Sequence, residues 1–357
     1  SDDVHDYFAE KRLEDDKSYE KWNSNLNNKL KNDESFKKLW KQFEKKELNF
    51  PESFEIQEAA TRVTGGNYLN LIGLKNKFVL GGSADLAAST KQIISEESYK
   101  SENRSGQNIE FGIREHSMAA VVNGISLHSN LFSFGSTFLV FSDYMRPSIR
   151  LASLMNLNSA YIFTHDSIYL GEDGPTHQPV EHLMSLRLIP GLDVIRPSNS
   201  IETIYAYKYL FSDTKNPKAL SLTRQNLKFL DYDIKYSDFL KGGFVISKGN
   251  DLTIFASGSE VNLAWEVKEI LKDFSVQIVS VPILNKLTSE ISESLNNNEL
   301  TFTIELGKAT GWSDYIGNIT ESFSIQTFGK SAPEKDLAEF FKINVEYIGK
   351  KIRKYLG

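Results

Sequence analysis

Cysteine is absent from the 357-residue chain. Disulfides, zinc–thiolate sites and thiol catalysis are therefore excluded. Long apolar runs are missing too, and none approaches the roughly 20 residues that span a bilayer. The chain is charged from Asp2 onward and shows no signal-peptide core at its start. There is no G-x-G-x-x-G, no G-x-x-x-x-G-K-[ST] and no G-x-S-x-G. Dinucleotide oxidoreductase and P-loop readings thus have no support. Positive charge is in deficit, with 41 Lys and Arg against 47 Asp and Glu, a formal net charge of -6. That balance argues against a general nucleic-acid binder but leaves room for local basic sites for small phosphorylated ligands. The rest is ordinary globular composition, 40% hydrophobic and 25% charged. The length suits two or three domains.

Glycine and proline are both missing from residues 1–50. There Trp22, Leu26, Leu30, Phe36, Leu39, Trp40 and Phe43 recur at spacings of three and four. The periodicity predicts two or three surface helices with narrow apolar stripes, too thin to form a core alone. The segment reads as a helical linker lying on another domain, with a partner-binding arm as the alternative. From Pro51 the texture changes. Glu58 to Asn67 reads as a helix stopped by Gly65-Gly66. Strands are expected at Phe78–Leu80, Ala160–Thr164, Asp193–Arg196 and Ala219–Thr223. Helices are expected after Glu115, over Phe141–Met155, over Val180–Leu188 and from about Ser200. Short apolar strands alternating with helices imply a mainly parallel α/β sheet covered on both faces. Residues 51–229 form this expected domain. Residues 230–357 repeat the α/β pattern on a smaller scale, with strands at Leu252–Ala256, Val276–Val281 and Phe302–Glu305. Helices are expected there near Val261–Lys272 and over Asp336–Tyr355.

The chemistry concentrates in 51–229. Asn108–Gly124 delivers Arg114-Glu115-His116 to the first turns of a helix rich in small residues. Burial at such a junction favours the protonated form of a carboxyl, as an acid or base needs. The plainer reading makes Glu115 a cap for helix-start amides. Phe138, Phe141 and Tyr144 stand at i, i+3 and i+6, either a core stripe or a stacking pocket for a heteroaromatic ring. Five of the six histidines lie between 116 and 182. His165 and His177 flank Asp166, Glu172 and Asp173 on one polar loop. Zinc-ligand spacing is absent there, since His177 and Glu181-His182 miss H-x-x-E-H by one residue. The loop reads better as donors and acceptors for a hydroxyl-rich substrate. Arg62, Ser89 and Arg224 lie near strand ends or loops of the same domain. Arginine suits bidentate phosphate recognition, although surface ion pairing is its commoner use.

Six stretches together resemble transketolase: GGSADL (81–86), FGIREHSM (111–118), GSTFLVFSDY (135–144), HDSIYLGEDGPTHQP (165–179), SLTRQNL (221–227) and TFGKSAP (327–333). The resemblance covers the chain from Pro51 to its end. It implies a pyrimidine-binding α/β domain of the thiamine diphosphate fold followed by the transketolase C-terminal domain. It implies transfer of a two-carbon ketol group from xylulose 5-phosphate to ribose 5-phosphate or erythrose 4-phosphate in the pentose phosphate pathway. By the same resemblance, Glu115 is the glutamate that bonds the pyrimidine ring nitrogen and promotes its imino tautomer. Phe138, Phe141 and Tyr144 match the aromatic pocket, and Asp85 the aspartate near the cofactor. Arg62, Ser89, His165 and Arg224 match the substrate-phosphate cluster. Asp173 and His177 match residues that bond sugar hydroxyls, and His177 joins Glu115 as a catalytic residue. A cytoplasmic homodimer is implied, with its active site between subunits.

One departure is large. Transketolases carry a diphosphate-binding domain with a Gly-Asp-Gly motif and a downstream asparagine for Mg²⁺ or another divalent cation. This sequence contains neither, nor that domain's substrate-facing histidines, and none of its own residues is expected to hold the metal. The chain then corresponds to the C-terminal part of a transketolase, either a fragment or a subunit of a split enzyme. It is expected to be inactive without the diphosphate-binding domain of the same or a partner chain. Rival readings are a dihydroxyacetone synthase-like ketol transferase, the β subunit of a 2-oxoacid dehydrogenase, and a non-catalytic interaction module that keeps the fold. The HDSIYLGEDGPTHQP loop counts against the second.

Overall fold

The computed structural model describes residues 1–94 and 97–357. Two units separate, Ser1–Leu48 and Asn49–Gly357. In the first, α1 (Asp2–Asn32) buries no residue, as its charge-rich sequence dictates. Asp33 ends α1 and caps α2 (Glu34–Glu44), accepting from the Phe36 amide at 2.9 Å. Along α2 the rings of Phe36 and Trp40 stack at 5.9 Å, and those of Trp40 and Phe43 lie 5.3 Å apart. Their spacing puts all three on one face. Among the described residues no helix is long and apolar enough to cross a membrane.

The second unit opens with α3 (Thr61–Lys75), β1 (Val79–Ser83), α4 (Ala87–Thr90), α5 (Glu115–His128), β2 (Phe132–Phe138) and α6 (Ser142–Leu154). It continues through β3 (Ala160–Thr164), α7 (His182–Arg187), β4 (Asp193–Ile195), α8 (Ser200–Leu210) and β5 (Lys218–Leu222). These strands form a five-stranded sheet of order β1-β2-β3-β5-β4. Every pairing is parallel. All residues of β2, β3 and β5 are buried, as helices on both faces require. Each fully buried Phe or Leu contributes about 1.5–3 kcal/mol. Met118, Val122, Leu139, Met145, Tyr161 and Phe163 share one core between α5, α6 and the sheet.

The chain then adds α9 (Tyr236–Phe239), β6 (Phe244–Ser247), β7 (Leu252–Ala256), α10 (Glu260–Ile270), β8 (Val276–Ser280) and α11 (Ser289–Leu295). Next come β9 (Leu300–Glu305), α12 (Ser313–Ile316), β10 (Glu321–Ser324), α13 (Glu334–Phe340) and α14 (Val345–Leu356). This second sheet has the order β10-β9-β7-β8-β6, with β6 antiparallel to β8 and the rest parallel. The sheet class agrees with expectation in both halves. The stretch expected as one helix from Asp336 to Tyr355 is instead two, with Lys342 left-handed at φ 58 and Asn344 capping α14 through the Tyr347 amide.

A second correction concerns Gly65-Gly66, expected to stop a helix. The helix α3 runs through them to Lys75. Here the missing side chains serve close approach, not termination. A Cβ on Gly66 would sit 2.2 Å from the Lys91 carbonyl oxygen, and one on Gly65 would meet the Tyr207 ring at 2.7 Å. By helix propensity alone Gly66→Ala should stabilise by up to about 1 kcal/mol. The backbone contact reverses the sign. Gly66→Ala is expected to destabilise by roughly 1–3 kcal/mol in urea unfolding, the usual range for an overpacked interior. A rise in stability would show that α3 does not lie this close to residue 91.

Candidate functional site

In the first sheet the strands end in register. Ser83 pairs with Ser136, Phe138 with Thr164, and Thr164 with Leu222. The segments leaving β1, β2, β3 and β5 therefore share one edge, the carboxyl end where α/β sheets bind ligands. Asp85 (φ 60) and His165 (φ 58) leave that edge in the left-handed region. Non-glycine residues adopt it sparsely, and it clusters at functional sites.

A cleft of about 420 Å³ opens at this edge. Half-buried Glu115 enters it from the first turn of α5, and Asp85 and Leu86 from the end of β1. Phe138, Phe141 and Tyr144 form one wall, with His177 beside them. Phe138 and Phe141 lie nearly parallel, with centroids 6.0 Å apart, and Tyr144 continues the row at 6.1 Å. Phe138 is buried, whereas Tyr144 is 63% exposed, so the row opens to solvent at one end. The His177 ring meets Phe138 and Phe141 edge-on at 6.4 and 5.6 Å. No side-chain bond caps the start of α5. Among the described residues Glu115 does not act as the cap considered above, and it lines the cleft instead. A flat ring with a basic nitrogen would fit between these aromatics and the carboxylate.

A cationic group lies beyond Phe138. His165 is 4% exposed, its ring 3.7 Å from that of Phe138 and its Nδ1 2.8 Å from Thr164 Oγ1. Burial pushes its pKa down to about 3, and the positive Arg62 and Arg224, then His177, push the same way. His165 is therefore neutral at ordinary pH. Arg62, in the first turn of α3, donates from Nη1 to the Ser89 carbonyl at 2.5 Å, and its Nε is buried without a partner. Arg224 stands exposed just beyond β5. Two guanidinium groups around a neutral imidazole suit an anion.

The structure thus gathers Glu115, Asp85, Phe138, Phe141, Tyr144 and His177 around one cleft. It sets Arg62, Ser89, His165 and Arg224 around a second centre. Ser89 contributes its backbone there, and Asp173 lies exposed on the loop outside the cleft lining. Among the described residues, the three donors close enough for one metal ion are Asp143, Glu181 and His182, not the acids of the 165–179 loop.

The model of the family "Transketolase, pyrimidine binding domain" matches residues 57–229, and that of the "Transketolase-like TK C-terminal domain" matches 242–344. The chain belongs to the transketolase family. It is 43% identical to the transketolase of Halalkalibacterium halodurans over 310 residues, 83% of this chain and 46% of that protein. It spans about half the length of the curated relatives it matches. Among solved structures, the Pichia stipitis transketolase in complex with sedoheptulose 7-phosphate is 29% identical. It superposes with a TM-score of 0.88 over 96% of this chain and 53% of that one. A split-gene transketolase, solved as an inactive beta4 tetramer, shares the fold at a TM-score of 0.69 and 22% identity. There the match covers 84% of this chain and 98% of the other.

One set of residues in this transketolase half went unread in the sequence. Arg196, just past β4, is wholly buried. It donates from Nε to Asp166 Oδ2 at 2.8 Å, from Nη1 to the Ser257 carbonyl at 3.0 Å, and to both oxygens of Glu260. Burial pushes Glu260 up to about 7, with Arg196 pulling against it. Glu305 beside them accepts from Arg187 at 2.7 and 3.0 Å and from the Trp312 indole at 2.6 Å. Gly258 (φ 58) leaves room for the guanidinium, since a Cβ there would lie 2.7 Å from Arg196 Nε. These groups hold the turn at His165–Asp166 against the second sheet.

His165 makes folding pH-dependent with a definite sign. Its pKa falls from an ordinary 6.5 to about 3 on folding, so the unfolded chain holds the extra proton between those values. The associated stability is complete above pH 6.5 and is lost as pH falls toward 3. Each pH unit inside the window costs about 1.4 kcal/mol. Urea unfolding of His165→Asn should therefore lose less stability than wild type between pH 6.5 and 4.5. Parallel pH profiles would show that His165 is protonated in the folded protein.

Proposed function

We propose that residues 51–229 and 230–357 are the pyrimidine-binding and C-terminal domains of a thiamine diphosphate-dependent transketolase. The observation that carries this reading is the half-buried Glu115 carboxylate facing the stacked aromatics of one cleft. The residues fit the pyrimidine end of the cofactor: a ring-sized slot, a wall of π-faces and one carboxylate. When bound, thiamine diphosphate supplies the nucleophilic carbon and the electron sink for breaking a carbon–carbon bond beside a carbonyl. In this reading Glu115 holds a proton on the ring nitrogen. Phe138, Phe141 and Tyr144 offer the ring one aromatic wall and shield that side of it from water. Asp85 borders the cofactor.

The substrate side follows from charge. Arg62, Arg224 and neutral His165, with Ser89, hold the phosphate of a sugar phosphate. His177, beside the aromatic wall, bonds the sugar's hydroxyls and moves a proton there. Asp173 joins it from the exposed part of the same loop. The Pichia stipitis relative, solved with a sugar phosphate, supports this substrate class. Exposed Ile113 and Tyr144 line the cleft, and Val121 and Leu127 are exposed on α5, the helix that Glu115 opens. They fit an apolar contact with a second copy, making a homodimer. The diphosphate, its Mg²⁺ and the remaining substrate contacts belong to a diphosphate-binding domain. Coverage of about half of each curated relative supports that partner. So does the split-gene transketolase in its inactive beta4 tetramer.

The chain should show no ketol transfer from xylulose 5-phosphate to ribose 5-phosphate by itself. Adding a separately purified transketolase diphosphate-binding domain, with thiamine diphosphate and Mg²⁺, should restore it. Glu115→Ala in the same mixture should cut kcat at least about 100-fold, the scale of losing one preorganised group at a reacting centre. Turnover by the isolated chain would refute the half-enzyme assignment, and equal rates for wild type and Glu115→Ala would refute the role of Glu115.

A further inference from the structure

A side-chain cluster outside the cleft points to a function that ketol transfer does not use. His182, at the start of α7, is 4% exposed. Its ring is flanked by two carboxylates. Nε2 lies 3.2 Å from Asp143 Oδ2 on α6, and Nδ1 lies 3.9 Å from Glu181 Oε2. An ionised carboxylate only accepts, so the bond to Asp143 requires the hydrogen on Nε2. In the neutral imidazole Nδ1 then carries a lone pair. That atom is buried and without a hydrogen-bond partner, and it faces the Glu181 carboxylate across a gap too long for a hydrogen bond. Nδ1 and the Glu181 carboxylate thus face each other with no hydrogen bond joining them.

Among the described residues no lysine or arginine relieves this. Arg146, one turn beyond Asp143, is held by Ser185 through its carbonyl at 3.1 Å and its hydroxyl at 2.5 Å. Among the described residues Asp143 and Glu181 pair only with His182. One donor atom from each of the three residues lies within 4.8 Å of the others. A metal–nitrogen bond of about 2.0–2.1 Å and a metal–oxygen bond of about 2.0–2.2 Å span the Nδ1–Glu181 gap with an open angle and little movement. Asp143 holds the far ring nitrogen as outer-sphere carboxylates do, fixing the tautomer and raising ligand basicity. Both carboxylates are more than half exposed, which gives the ion a path in.

We propose that Glu181 and His182, oriented by Asp143, bind a divalent transition-metal cation of the zinc class. The ion ties Glu181 to His182 at the start of α7, and the Asp143 bond to Nε2 links that centre to α6, which carries Tyr144. This site is separate from the Mg²⁺ of the diphosphate-binding domain and stands whether or not the ketol-transfer reading holds.

The test is calorimetric titration of ZnCl₂ into chelator-treated chain, with melting temperature as a second readout. One Zn²⁺ should bind per chain with a Kd at or below about 10 µM, and the melting temperature should rise with Zn²⁺, as for any ligand of the native state. His182→Gln and Glu181→Gln should each weaken binding at least tenfold, and Asp143→Asn about 10–100-fold. Glu181 is on the surface, so its variant tests the site without threatening the fold. Absence of saturable binding would overturn the proposal. So would binding unchanged in both His182→Gln and Glu181→Gln, which would put the ion on other histidines. A third overturning result is a ¹⁵N spectrum with both His182 nitrogens protonated at pH 7.5 and unaltered by Zn²⁺, since a proton would then fill the gap.

Discussion

Much of the second unit depends on one buried cation. Arg196 has no solvent contact and reaches Asp166 from the first sheet and Glu260 and Ser257 from the second. Taking such charges out of water costs several kcal/mol per ion, and only full hydrogen bonding offsets it. Removing one partner would leave an unpaired buried charge, so the two sheets hold each other in one relation. Asp166 directly follows His165, whose left-handed backbone turns the ring onto Phe138. The tie between sheets therefore also fixes the turn that sets the His165 ring against Phe138, where the cationic centre meets the cleft wall.

The site concentrates several conditions that cost stability elsewhere. A buried histidine kept neutral, a partly unpartnered arginine and two non-glycine residues at positive φ lie along one sheet edge. Such strain persists only where the surroundings over-determine it. Here the surroundings are a parallel sheet with three strands buried throughout, which do not yield to accommodate the edge.

Much of this was legible in the sequence, for physical reasons that differ by element. β3 and β7 match their expected spans because short apolar runs bounded by turn residues have few alternatives in an α/β chain. By spacing alone the aromatic row left core stripe and stacking pocket both open, since the two use the same period, and only the resemblance pointed to the pocket. The glycine pair in α3 misled because a glycine that ends a helix and one that admits a neighbour look alike until the neighbour, Lys91, is known. β6 and β10 are short edge strands with mixed burial and little pattern to read. The Arg196 network was invisible for a different reason. The acids that meet Arg196 lie 30 and 64 residues from it, and a lone charged residue in a sequence is usually a surface one.

The Gln178 amide has a further consequence. Its nitrogen donates to the carbonyls of Ile168 and Gly171 within the substrate-facing loop and to that of Lys330 beyond β10. Ser331 returns a hydroxyl bond to the Glu172 carbonyl. The loop is thus stitched at both its middle and its end to a segment some 150 positions later in the chain. The first sheet is not a self-sufficient module to which a second was appended. A chain cut after Lys241 would keep every residue of the cleft and lose these fastenings of the loop that carries His177.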